Sequence, residues 1–201
     1  MITVIDYGMG NLRSVSKAIE HLGGRYSVTS KGSDLKNASK LILPGVGSFG
    51  DAMAELGQRG LIKPLKDTLA KGAKLLGICL GLQLFFEKSD EAPGVEGLGL
   101  LPGKVVRFRS SKVKIPHMGW NDIRLVRKHP LLEGIRSGDY FYFVHSFYGQ
   151  PKVRKLTLAS CRYAGKEFAA VVGTDRIAAV QFHPEKSQDA GLRLLRNFIR
   201  W

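Results

Sequence analysis

Gly77-Ile78-Cys79-Leu80-Gly81 is the stretch on which the reading of this chain turns. It follows the apolar run Lys74 to Ile78 and opens the apolar segment Leu80 to Glu87, so a buried strand is expected to become a helix at Cys79. The frame G-x-C-x-G, with Ser in place of Cys, is the nucleophile elbow. Its glycines have a physical cause. The central residue sits on a strained turn, and the positions two before and two after press against that turn, where a Cβ does not fit. The turn lifts the central side chain above the C-terminal edge of the sheet, where open α/β sheets bind ligands. It also sets Cys79 at a helix N-terminus, whose partial positive charge favours thiolate. A cysteine without such a frame is more simply a small core residue. Cys161, in the strand-like Leu158-Ala159-Ser160-Cys161-Arg162, reads that way.

Upstream of the elbow, residues 1–100 alternate strand and helix. Ile2 to Ile5, Arg25 to Thr29, Lys40 to Leu43 and Lys74 to Ile78 are strand-like. Helices fit from about Leu12 to Leu22, Asp51 to Leu56 and Leu61 to Lys71. In the first, Val15, Ala18, Ile19 and Leu22 fall on one stripe of a 3.6-residue period, and Gly23-Gly24 stops it. This alternation predicts an α/β, flavodoxin-like fold: a mostly parallel central sheet covered by helices on both faces. Downstream the texture changes. Val105 to Phe108, Tyr140 to Val144, Leu156 to Tyr163, Phe168 to Gly173 and Ile177 to Phe182 are strand-like and predict an antiparallel meander added to that sheet in the C-terminal half. Gln188 to Trp201 is an amphipathic helix with Leu194, Leu195, Phe198 and Ile199 on one side. No linker-like composition shift and no repeat interrupts the chain, so residues 1–201 are expected to form a single domain.

Composition bounds the function. The chain has 201 residues, 44% hydrophobic and 24% charged, which excludes intrinsic disorder as its class. No apolar run approaches the ~18 residues of a membrane span, and the N-terminus reads as a strand rather than a signal peptide. Two cysteines make no disulfide framework, and a reducing cytoplasm is the expected compartment. The net charge of +14 suits acidic partners. Its densest stretch, Lys104 to Lys128, fits a solvated surface or a partner-facing patch equally well. Nucleic acid is the weakest of the acidic partners, because no helix-turn-helix, zinc-knuckle or aromatic RNP pattern accompanies the charge.

A thiolate doing acyl transfer needs a proton shuttle. Of the five histidines, His183 is the strongest candidate, in Gln181-Phe182-His183-Pro184-Glu185-Lys186-Ser187 at a strand end. Glu185, two residues on across a stiff proline, is placed to aim a carboxylate at one imidazole nitrogen and leave the other for the thiol. A third element, Leu43-Pro44-Gly45-Val46-Gly47-Ser48-Phe49-Gly50, carries glycines that let backbone N–H groups point at a ligand. The N–H near Val46 or Gly47, with that of Leu80, is a candidate oxyanion hole. The turn Gly8-Met9-Gly10-Asn11-Leu12-Arg13 falls short of a dinucleotide fingerprint because Arg13 replaces the third glycine. It reads as a tight turn with Asn11 as an N-cap.

Pro44-Gly45-Val46-Gly47, Gly77-Ile78-Cys79-Leu80-Gly81-Leu82-Gln83 and His183-Pro184-Glu185 resemble the three signatures of class I (triad) glutamine amidotransferases, in order and spacing, across essentially the whole chain. Glu91-Ala92-Pro93-Gly94, Gly97-Leu98-Gly99-Leu100, Pro116-His117-Met118-Gly119-Trp120-Asn121 and Tyr142-Phe143-Val144-His145-Ser146 are similar to the glutaminase subunits of imidazole glycerol phosphate synthases, enzymes of histidine biosynthesis. The resemblance implies hydrolysis of glutamine to glutamate and ammonia. It also implies a heterodimer with a (β/α)₈-barrel cyclase subunit that uses the ammonia to make imidazole glycerol phosphate and aminoimidazole carboxamide ribotide. No metal, cofactor, nucleic acid or membrane is implied. Carried over, Cys79 forms the γ-glutamyl thioester, His183 moves the proton and Glu185 orients His183. Gly47, Gln83 and the backbone around His145 and Ser146 line the glutamine pocket, with Glu91 toward the substrate's α-amino group. Asn11, Trp120, Tyr142 and Lys186 match positions facing the barrel partner. The family is also thought to rest with the Pro44 to Gly47 segment in the wrong orientation for an oxyanion hole. The resemblance leaves open another triad amidotransferase, such as one feeding anthranilate, guanylate or pyridoxal phosphate synthesis. A noncatalytic binding protein of the same fold, or a nucleic-acid binder recruited by charge, is the alternative from another class.

Overall fold

The computed structural model describes residues 1–201. The first half runs β1 (Ile2–Ile5), α1 (Leu12–His21), β2 (Tyr26–Thr29), α2 (Gly32–Leu35), β3 (Lys40–Gly45), α3 (Phe49–Gln58), α4 (Ile62–Ala70), β4 (Lys74–Cys79) and α5 (Leu80–Leu84). The second half is richer in strand: β5 (Lys88–Ser89), β6 (Gly103–Arg107), β7 (His117–Asp122), β8 (Arg124–Leu125), β9 (Tyr140–His145), β10 (Phe147–Pro151), β11 (Thr157–Tyr163), β12 (Lys166–Gly173), β13 (Ile177–Val180) and α6 (Gln188–Arg200).

The central sheet has eight strands in the order β2-β1-β3-β4-β13-β12-β11-β8. The first five are mutually parallel, and β12, β11 and β8 continue the sheet antiparallel. Its central strands are apolar on both sides because both faces are covered. Val4, Ile42, Leu76 and Val180 point into one core with Val15 and Ile19 of α1 and Leu194, Leu195 and Phe198 of α6. Their strand neighbours Ile5, Leu41, Leu43, Leu75 and Ala179 point into the other, against Phe49, Ala52, Met53 and Leu56 of α3 and Leu65 of α4. Alternate residues of each strand thus serve opposite layers.

Two expectations need correction. Val105 to Phe108 and Tyr140 to Val144 do not extend the central sheet. β6 lies between β10 and β5 in a separate three-stranded sheet, and β9 pairs with β7 in a two-stranded ribbon. The two small sheets are joined where β9 continues directly into β10 through Ser146. The helix after the elbow is also shorter than the apolar segment suggests. It ends at Leu84, and Phe85 and Phe86 turn back to receive the N–H groups of Leu100, Leu101 and Gly99 on their carbonyls.

Topology brings the three motifs together. β3, β4 and β13 are adjacent parallel strands, with Gly45 beside Cys79 and Ile78 beside Val180. Their C-terminal ends therefore carry Gly45-Val46-Gly47, Cys79 and, three residues past Val180, His183. Segments far apart in sequence meet at one sheet edge because parallel strands align like ends.

Candidate active site

Cys79 ends β4 and opens α5 with φ 56° and ψ −108°, a left-handed conformation that costs a non-glycine residue on the order of 1–3 kcal/mol. The flanking glycines permit it. A Cβ on Gly77 would come within 2.8 Å of the Gly81 carbonyl oxygen and 2.7 Å of the Phe85 ring, and one on Gly81 would overlap the carbonyl of Leu43. The elbow is pressed against both its own helix and β3. The Leu80 N–H follows at the first turn of α5, where backbone donors lack intrahelical partners.

His183 and Glu185 form a buried pair, Nδ1 to Oε1 at 2.8 Å, with side chains 2% and 0% exposed. A carboxylate only accepts, so Nδ1–H is the donor and Nε2 is left for the thiol. The backbone fixes the imidazole from two sides. The His183 N–H donates to the Tyr142 carbonyl (2.9 Å), and Ser187 Oγ donates to the His183 carbonyl (2.6 Å). Ser187 Oγ in turn accepts from the Tyr142 N–H at 2.9 Å, tying this loop to β9. Nε2 is buried and pairs with no nitrogen or oxygen acceptor or donor, and the Cys79 thiol reaches the Val144 carbonyl at 4.0 Å. The thiol is still near enough to matter. Burial alone pushes the imidazole down, but Cys79 and Glu185 outweigh it and hold His183 up at about 10.

Val46, Gly47, Cys79, Leu80, Gln83, Glu91, His145, Ser146 and His183 surround one cavity of about 390 Å³. Every pocket residue expected from sequence reaches it. Pro116, Val144 and Phe147 line it as well; the first two stand in stretches that carry the family resemblance, and Phe147 follows Ser146. Glu91 is anchored from below, its Oε2 accepting from the Phe49 N–H (2.8 Å) at the positive end of α3. Gln83 donates through Nε2 to the Phe147 carbonyl (3.0 Å) and to Gln181 Oε1 (3.3 Å). Gln181 was overlooked in sequence although it stands two residues before His183.

One of the candidate oxyanion donors is not free. The Val46 N–H donates to the Met9 carbonyl at 3.0 Å, and Gly47 takes φ +96°. Asn11 also departs from its expected role. It begins α1 without a side-chain cap bond and instead reaches Glu185 Oε1 through Nδ2 at 3.5 Å. Its amide supports the Glu185 carboxylate, which leaves the helix end to its own backbone.

Trp120 and Tyr142 are register partners on β7 and β9, with rings 6.1 Å apart edge to face. Trp120 is 46% exposed, and Met118 and Tyr140 on the same ribbon face are 63% and 58% exposed. Lys186 is exposed in the turn after Glu185. The inner face of the ribbon holds His117 and His145, also register partners. Burial pushes His145 down to about 3 and His117 to about 4, so both imidazoles are neutral at ordinary pH.

A strained cysteine at a sheet edge and a buried His–Glu pair line one small cavity, an arrangement suited to thiol-dependent acyl transfer. The profile of the family "Glutamine amidotransferase class-I" matches residues 3–201. The chain is 50% identical over 199 residues to the imidazole glycerol phosphate synthase subunit HisH of Rhodopirellula baltica, covering 98% of this chain and 96% of that one. It is 49% identical to the subunit of the same name from Methanothermobacter thermautotrophicus, covering 99% and 98%. Among solved structures it is similar to PurLQS from Thermotoga maritima, at TM-score 0.79 and 20% identity over 99% of this chain and 97% of that one. It is also similar to a structure described as a glutamine amidotransferase, at TM-score 0.78 and 21% identity over 100% and 98%. These structural likenesses are ones of fold. The chain belongs to the class-I glutamine amidotransferase family, among the HisH subunits of imidazole glycerol phosphate synthases.

Proposed function

We propose that this chain, one domain over residues 1–201, is the glutaminase subunit of an imidazole glycerol phosphate synthase in histidine biosynthesis, acting in the cytoplasm. The observation that carries the reading is the Cys79 elbow at φ 56° opposite the 2.8 Å His183–Glu185 pair. The full-length identity of about half to HisH subunits supports the choice among triad amidotransferases.

With its proton held on His183 Nε2, Cys79 attacks the side-chain amide carbon of glutamine as the thiolate. The C–N bond breaks as the imidazolium returns the proton to the leaving ammonia, giving the γ-glutamyl thioester. Water, deprotonated by the same imidazole, then cleaves the thioester to glutamate and restores the thiol. Glu185 holds the Nδ1–H tautomer and the charge of the imidazolium. Leu80 N–H supplies one oxyanion donor, and a turned peptide in Gly45-Val46-Gly47 supplies the second. Gly47, Gln83, Glu91 and the backbone of His145 and Ser146 hold the substrate.

Ammonia passes to a (β/α)₈-barrel cyclase subunit. Asn11, Trp120, Tyr142 and Lys186 meet that partner, and the exposed Met118 and Tyr140 widen the apolar part of the surface. The test is the pair of activities in the reconstituted complex. Cys79→Ala abolishes synthesis from glutamine and spares synthesis from added ammonium salt. Loss of both contradicts the division of labour.

A further inference from the structure

Three side chains and a main-chain carbonyl beneath the cavity form a hydrogen-bonded series whose direction is fixed from both ends. Asn121 Nδ2 lies 3.1 Å from His117 Nε2. His117 Nδ1 lies 3.0 Å from His145 Nε2, and His145 Nδ1 lies 2.8 Å from the Phe147 carbonyl. At one end, the amide of Asn121 cannot be reversed. Its Nδ2 donates to the Arg162 carbonyl (3.0 Å), and its Oδ1 accepts from the Asp122 N–H (2.9 Å). His117 Nε2 therefore faces a donor and must accept. At the other end a carbonyl faces His145 Nδ1, which must donate. Only one assignment satisfies every contact: both rings neutral, both protonated on Nδ1, every bond running from Asn121 toward Phe147. Burial acts in the same sense on both rings.

The last acceptor belongs to the substrate site. The Phe147 carbonyl takes its second bond from Gln83 Nε2 (3.0 Å). Gln83 spends its other amide hydrogen on Gln181 Oε1, so Oε1 is the one polar side-chain atom it has left for a ligand in the cavity. An acceptor there matches an N–H of glutamine and repels the carboxylate of glutamate. Strand alternation makes the arrangement possible. His117 and Asn121 stand four residues apart on the inner face of β7, with exposed Trp120 between them pointing outward.

Resting on the proposed glutaminase reading, we infer that Asn121 and His117 are positioning residues for glutamine: through His145 and the Phe147 carbonyl they fix the amide of Gln83 with its oxygen toward the substrate. His145 contributes as a neutral link, which also keeps a second positive charge away from His183.

Two measurements decide the matter. The first needs no substrate. With ¹⁵N-histidine in this chain alone, within the complex at neutral pH, long-range ¹H–¹⁵N spectra show His117 and His145 as neutral Nδ1–H tautomers. An Nε2–H tautomer or an imidazolium at either position overturns the inference. The second is kinetic. His117→Phe keeps a ring to stack on Tyr163 and Phe143, at centroid distances of 3.9 and 4.7 Å in the native protein, and loses the donor. His117→Asn loses the ring and keeps a donor near the Nδ1 position. A buried acceptor left unpaired costs enough to raise KM for glutamine by roughly tenfold or more in His117→Phe, with kcat within about threefold. His117→Asn returns KM most of the way. Asn121→Asp keeps shape, reverses the polarity of the first bond and raises KM similarly. The opposite order at position 117, Phe near native and Asn impaired, shows packing alone and refutes the inference. Absence of glutamine hydrolysis in the native complex refutes the glutaminase reading and leaves the spectra to judge the tautomers separately.

Discussion

The amide of Val46 is bonded to the carbonyl of Met9 at 3.0 Å, so the loop after β3 is fastened to the loop after β1 by the very N–H that an oxyanion would need. In the proposed mechanism the cavity holds its nucleophile, proton shuttle and walls, and one donor is engaged elsewhere. Loss of a single oxyanion donor costs ~10²–10³ in rate. Glutamine turnover by the isolated chain is therefore expected to fall below that of the complex with cyclase ligand by about this factor. Single-turnover measurement of glutamate release in both states checks it, and equal rates sink the idea.

Gly81 supports the elbow from beneath, and its place is set by close approach. A Cβ there would overlap the Leu43 carbonyl of β3, which is strand backbone that cannot move aside. Gly81→Ala is expected to cost about 3 kcal/mol or more, beyond ordinary overpacking because backbone must shift. Gly94→Ala is the control. Nothing lies within 4 Å of its Cβ position, and only its φ of +85° is strained, at about 1 kcal/mol. Urea denaturation of the two variants orders them, and similar midpoints would contradict the packing account.

Glu185 and Cys79 raise the His183 pKa from 6.5 to about 10 against the effect of burial. A raised histidine pKa stabilises the folded state fully below about 6.5, and this contribution fades as pH climbs through about 10. Glu185→Gln removes the nearer anion and is expected to lower the His183 pKa. The stability gap between native protein and variant should be widest below pH 6.5 and narrow toward pH 10. Cys79→Ala is expected to lower the same pKa, because Cys79 is the other group that raises it. Histidine titration by NMR reads both shifts, and an unchanged His183 in either variant contradicts the assignment of cause.

The parallel half of the fold was plain in the sequence because strands buried on both faces are continuous apolar runs. β1 falls on Ile2–Ile5 as expected, and β3 and β4 extend only to the Gly45 and Cys79 that end them. The triad was visible for a related reason. A strained turn, a strand end and a Gly-rich loop each impose residue types within five positions. What stayed hidden depends on pairing. β7, His117–Asp122, contains polar residues and a glycine and is a strand only because β9 lies beside it. Tyr140 to Val144 reads as strand correctly, but nothing local says that its partner is β7 and not the central sheet. The reach of Asn11 to Glu185 spans 174 residues and has no local signal against the helix-capping preference of asparagine.

Strain at the nucleophile separates what the protein needs for stability from what it needs for chemistry. Cys79 holds φ 56° because β4, α5 and the glycines beside it over-determine the turn. Alanine at position 79 keeps a Cβ and therefore keeps the strain. Glycine relieves it and adds unfolded-state entropy of about 0.5–1 kcal/mol against a relief of ~1–3 kcal/mol. Cys79→Gly is thus expected to be more stable than Cys79→Ala by about 1 kcal/mol, although neither hydrolyses glutamine. Cys79 is 6% exposed, so both variants lose the contacts of the thiol and they differ by one Cβ and by the backbone strain. Thermal unfolding of the two proteins side by side gives the answer. An alanine variant as stable as the glycine one would mean that the elbow stores no strain, and its sharp turn would then need another explanation.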